Sequence, residues 1–143
     1  MDNDTVKLLR ECDAGVKMAI SSIDETREKV QDIELKEILE KSKKEHSQLG
    51  GEIAGLLLDL GDNGKDPNLM AKGMSWMKTN IKLGMDNSDK TVADLITDGC
   101  DMGIKSLSKY LNQYEKAEEH SKDITKKLIK IEEDLLSELR QYL

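Results

Sequence analysis

Two segments of this chain are nearly the same. Cys12-Asp13-Ala14-Gly15-Val16-Lys17 and Cys100-Asp101-Met102-Gly103-Ile104-Lys105 share Cys, Asp, Gly and Lys in register, 88 positions apart. The apolar spacing downstream of each copy is helical and similar. A helical hairpin that occurs twice can bury both of its apolar stripes by packing face to face, so the repeat predicts an all-α fold, one four-helix bundle of two duplicated hairpins. A length of 143 residues suits a single such domain over residues 1–143.

Apolar residues at steps of three and four place the helices. A first helix over about 5–30, capped by Asp4 or Thr5, carries Val6, Leu9, Val16, Ile20, Ile23 and Val30, and Asp13 interrupts that seam. Asp32 is the expected N-cap of a second helix over 33–60, with Leu35, Leu39, Ser42, Leu49, Ile53 and Leu57 inward and Glu45-His46 as the polar interruption. Gly50, Gly51 and Gly55 inside it suit a close helix crossing, or a break at Gly50-Gly51. Gly61-Asp62-Asn63-Gly64 ends that helix, and Asp66-Pro67 reads as the cap and first residue of a shorter helix over 67–85. Met70, Met74, Met77 and Ile81 share a face there, suited to core packing or to a soft docking surface, with Trp76 nearby. A third helix follows over 90–118, and Ser121 is placed to cap a fourth that runs to the C-terminus. The two hairpins therefore span 5–60 and 90–143.

Composition narrows the function classes. The net charge of −7 disfavours nucleic acid and anionic membrane surfaces, although residues 65–85 carry +3 and leave −10 on the remainder. Four aromatics, Trp76, Tyr110, Tyr114 and Tyr142, leave few stacking platforms. No apolar run approaches membrane-spanning length and Met1-Asp2-Asn3-Asp4 lacks signal-peptide character, so a cytoplasmic protein is expected. Cys12 and Cys100 sit on helices whose axes pack roughly 8–10 Å apart, beyond ordinary disulfide reach, and are expected as buried free thiols.

A middle helix of this length is superfluous in an up-down-up-down bundle and is what a long crossover between hairpins would contain. Two hairpins joined by such a crossover resemble the ferritin/rubrerythrin-like fold. The two Cys-Asp-x-Gly-x-Lys segments, Trp76-Met77-Lys78 and the chain length resemble, more narrowly, an uncharacterised bacterial ferritin-like bundle family. The resemblance covers essentially the whole chain and implies association into a dimer. The wider superfamily also implies a di-iron site.

That site needs a Glu on each of two helices and Glu-x-x-His on each of the other two. Lys43 stands three before His46, and Ala117 three before His120, so the usual ligand set is absent. A degenerate set remains: Asp13, Glu45, His46, Asp101 and Glu132, the last aligning with His46 when two residues are deleted from the second hairpin. Counted from the turns, Asp13 and Asp101 lie about 18 residues out and His46 and Glu132 about 15 and 13, an axial mismatch of roughly 5–8 Å. Glu45 and His46 differ by about 100° around their helix and do not both point inward.

Two readings follow. The first is a non-catalytic bundle acting through association, a homodimer with no cofactor and no nucleic-acid or membrane partner. The alternative is a divergent di-metal carboxylate bundle binding iron or another divalent metal and handling oxygen or peroxide. A third, a thiol sensor built on Cys12 and Cys100, is disfavoured because apolar burial quiets a thiol. In the first reading the repeated segment is a packing device, its Gly letting helices approach and its Cys filling the contact.

Overall fold

The structure, a computed structural model, describes residues 3–66 and 89–143. The expected helix over 67–85, with its Met stripe and Trp76, lies outside the described residues. Those residues form four α-helices and no strand: α1 (Asn3–Arg27), α2 (Ile33–Asp59), α3 (Asp89–Gln113) and α4 (Glu119–Leu139), with a 3-10 turn over Arg140–Tyr142. None of these helices is long and apolar enough to cross a membrane.

The boundaries follow local chemistry. Asp32 caps α2 as its sequence position predicts, its carboxylate accepting the Leu35 N–H at 2.9 Å. At the other end Gly61 adopts φ +76°, and the Asp62 and Gly61 amides donate back to Leu57 O (2.8 Å) and Leu58 O (3.0 Å). That is a Schellman closure, which needs the left-handed conformation glycine provides. Between those ends α2 is continuous, with no break at Gly50-Gly51.

Three expected ends shift. α1 stops at Arg27 rather than residue 30, because Lys29 and Val30 donate to Thr26 O and Arg27 O in tight turns and Val30 tucks into the core. α3 ends at Gln113, five residues before the expected end, and Ala117 is buried within the link that follows. α4 begins at Glu119, so Ser121 is not its cap. The Ser121 hydroxyl instead donates to Glu118 O (2.6 Å), and the Glu118 N–H is taken by Thr5 Oγ1 of α1 (2.9 Å). Thr5 and Asp4 lie inside α1 and serve the opposite link, Asp4 accepting the Lys116 N–H at 3.2 Å.

These bonds fix the helix directions. Asp89, the first residue of α3, accepts the Gln31 and Asp32 amides at 2.8 and 3.0 Å, so α3 begins where α1 ends. The start of α1 lies against the end of α3 through Asp4 and Thr5. Tyr142, beyond α4, donates its hydroxyl to Asp32 at 2.8 Å, so α4 ends where α2 begins. Each helix is thus antiparallel to its hairpin partner, α1 lies antiparallel beside α3 and α2 beside α4, and α1 also packs along α4, to which it is parallel.

Two apolar clusters fill the bundle. One gathers Ile23, Leu35, Leu39, Val92, Ile96, Leu135 and Leu139 toward the Asp32 end; the other gathers Leu9, Val16, Leu49, Ile53, Leu107, Ile124 and Leu128 toward the Gly61 end. Each fully buried Leu or Ile contributes roughly 1.5–3 kcal/mol. Between the clusters α2 and α4 present Ser42, His46 and Glu132, a buried polar layer near mid-bundle.

Candidate functional site

His46 is fully buried and Glu132 is 7% exposed, and the two meet across α2 and α4 with Nε2 and Oε1 2.9 Å apart. Both follow from helical spacing: His46 falls between Ser42 and Leu49 on the inner stripe of α2, and Glu132 between Leu128 and Leu135 on that of α4. His46 Nδ1 lies 2.8 Å from the Ser42 carbonyl oxygen. A carbonyl only accepts, so Nδ1 carries a hydrogen and Nε2 faces the carboxylate. One further proton between Nε2 and Oε1 completes the bridge.

Burial lowers the affinity of the His46 imidazole for its proton. The hydrogen bond and charge of Glu132, with the Ser42 carbonyl and Glu45, outweigh it and hold the pKa above the ordinary value. The imidazole therefore keeps its second proton, bridging to Glu132, to higher pH than a free histidine would. From α3 the Cys100 thiol faces the same carboxylate. Burial, reinforced by Glu132, raises its pKa, so it stays a neutral thiol.

Of the five residues that sequence spacing nominates for a metal, the structure unites these two. Asp13 is buried for another reason. Its Oδ2 accepts the Lys65 N–H at 2.9 Å and pairs with Lys17 at 2.8 Å, tying residues 61–66 down along α1. Gly64, at φ +87°, makes room, since a Cβ there would stand 2.5 Å from Asp13 Oδ2. Asp101, the counterpart of Asp13, is exposed on α3, and Glu45 is half-buried at the edge of α2. Among the described residues no three His, Cys, Asp or Glu side chains gather as a metal-holding group. His120 lies in the first turn of α4, 59% exposed and 3.6 Å from Glu52.

The cysteines are free and buried. Thr125 spends its hydroxyl hydrogen on Ser121 O (2.8 Å), so the Cys12 thiol, 3.2 Å away, donates to Thr125 Oγ1. Burial pushes the Cys12 pKa up to about 11, and the charges of Glu11 and Asp13 add to the rise. The glycines of the repeat do not work as expected. A Cβ on Gly15 would meet Leu128 at 3.8 Å and one on Gly103 would meet Glu132 at 3.8 Å, both ordinary contacts. The close approach is at Gly50, where a Cβ would stand 2.8 Å from Val16 Cγ1.

Two contributors escape sequence reading. Ser42 is visible as the residue one turn before His46, but its use of a carbonyl to set the imidazole tautomer is not. The contact of Cys100 with Glu132 joins different helices and has no local signal. No family model, curated protein or solved structure matches this chain.

Proposed function

We propose that this chain is a non-catalytic, ferritin-like helical bundle that acts through association, with a self-satisfied His46–Glu132 pair where a di-metal member of that fold places its ligands. Three observations support the ferritin-like topology. α2 ends beside the start of α1, whereas α3 starts beside the end of α1. Residues 61–66 turn back along α1 as far as Asp13, the direction a crossover takes. The end bonds are reciprocal, Asp89 serving the α1–α2 link and Asp4 and Thr5 serving the α3–α4 link, as a duplicated hairpin with a twofold relation would have it.

The observation that carries the functional reading is the closure of the polar layer. A ferritin-like di-metal centre takes four carboxylates and two imidazoles from four helices. Here the layer offers one imidazole and one carboxylate, each already the other's partner, with the neutral Cys100 thiol and Gly103 of α3 beside the carboxylate. The residues do not fit that centre. Among the described residues, one concave feature runs along Glu40, Lys41, Lys44 and Ser47 of α2 and a small one lies at the bundle end near Leu56 and Glu118, both away from the pair.

Protein purified with iron present and passed through gel filtration tests this reading. Sub-stoichiometric metal and a Tm unchanged by chelator are expected, and light scattering is expected to return a dimer. A metal atom retained per chain, with a Tm that falls on chelation, would overturn the non-metal reading. A 16.1 kDa particle at high concentration would overturn association.

A further inference from the structure

We propose that His46 and Glu132 act as a pairing code that commits the first hairpin to the second and disfavours pairing of either hairpin with its own kind. The inference rests on the duplicated-hairpin reading and deepens it. If the hairpins are copies, a hairpin of one chain can dock on the same hairpin of another chain, because the apolar stripes are alike. At the shift that aligns His46 with Glu132, Ile38, Leu49 and Ile53 of α2 match Ile124, Leu135 and Leu139 of α4. Apolar packing alone discriminates poorly between such partners; a buried polar mismatch discriminates strongly.

The position of the pair is what makes it a code. His46 and Glu132 occupy matching places once a two-residue gap is allowed in the second hairpin, and they touch each other at 2.9 Å. In a bundle built from two first hairpins, the same place would hold two imidazoles whose Nδ1 hydrogens are both committed to carbonyls. In one built from two second hairpins it would hold two carboxylates. Neither can be water-solvated there, since His46 is fully buried and Glu132 nearly so. The Ser42 hydroxyl lies 3.3 Å from His46 Nδ1, on the ring nitrogen that does not face Glu132. Gly103 of α3 has no side chain, and Cys100 is a neutral thiol already facing Glu132. Glu45, on the same helix as His46, is half-buried one position away.

The test uses two full-length variants. His46→Glu places carboxylates at both positions and Glu132→His places imidazoles at both, so neither chain closes on itself with a matched pair. Mixed, they have a matched solution: each first hairpin exchanges onto the other chain's second hairpin, giving two imidazole–carboxylate pairs in one heterodimer. The chains, one of them isotopically labelled, are unfolded together and refolded at about 0.5 mM, near the effective concentration of a tethered segment. Native mass spectrometry counts the species, with a labelled and unlabelled wild-type mixture alongside.

The code predicts a heterodimer more than tenfold above each homodimer, against the twofold excess of random mixing. A random ratio, or no heterodimer, overturns it, whether or not the single variants fold alone. If the wild type proves monomeric, the association reading fails while the enrichment still reports on the code. If the wild type dimerises through its surface, its own mixture gives the random ratio against which enrichment is measured.

Discussion

Removing His46 while leaving Glu132 strands a carboxylate that is 7% exposed, between two apolar clusters. Losing one partner of a buried pair costs about 3–5 kcal/mol. The escape open to a stranded carboxylate is to bind a proton. For a glutamic acid of ordinary pKa near 4.3 that costs about 4 kcal/mol at pH 7, which sets the same scale. The Ser42 carbonyl adds little, because it also accepts within the helix. His46→Leu is therefore expected to lower stability by about 4 kcal/mol, or Tm by roughly 10–20 °C for a chain of this size. The double replacement His46→Leu with Glu132→Met removes both charges at similar volume, and Gly103 leaves room beside position 132. Such replacements range from neutral to about 4 kcal/mol stabilising. Urea unfolding of the wild type, both single variants and the double variant at pH 7, followed by circular dichroism, gives the coupling. A value at or above about 3 kcal/mol is expected, the top of the range for residues in contact. Single losses below about 1 kcal/mol that simply add in the double variant would refute the buried-pair reasoning.

Three further outcomes follow from the same contacts. Because the His46 pKa is raised in the folded state, its contribution is complete below the unfolded value near 6.5 and is lost as pH rises through the folded value. Stability between pH 6 and 8 should fall by up to about 1.4 kcal/mol per unit in the wild type and stay flatter in the double variant. Cys12 and Cys100 should resist iodoacetamide at pH 8 until denaturant is added, as intact-mass measurement would show; prompt labelling of folded protein would contradict their burial. Gly51→Ala and Gly55→Ala, on open faces of α2, should each stabilise by roughly 0.5–1 kcal/mol, whereas Gly50→Ala should destabilise through its clash with Val16, all read by thermal melts.

The helices are legible in the sequence because their signals are local: steps of three and four place the apolar stripes, Asp32 caps where expected, and Gly61 stops α2. The ends of α1, α3 and α4 are less so, because Thr5 and Asp89 satisfy links that belong to the other hairpin. The candidate site divides in the same way. His46 is recognisable as a polar break in its stripe, whereas Glu132 reads from spacing as flanking a stripe that runs through Ile131, and the structure turns Glu132 inward instead. What the repeat conceals is that its two aspartates have different fates. Asp13 is covered because residues 61–66 fold onto it, and Asp101 points to solvent from an outer face. Such similar local sequence does not encode that difference, since it depends on which segment arrives from elsewhere.

The central claim is that His46 is engaged by Glu132 and is not an open metal ligand. Nitrogen NMR of protein labelled at histidine tests it most directly, with the exposed His120 as internal reference. At pH 6, below the ordinary histidine value, both ring nitrogens of His46 are expected to carry hydrogen, with resonances unmoved by one equivalent of ferrous or zinc ion. An Nε2 without hydrogen, shifted or broadened stoichiometrically by the added metal, would contradict the account.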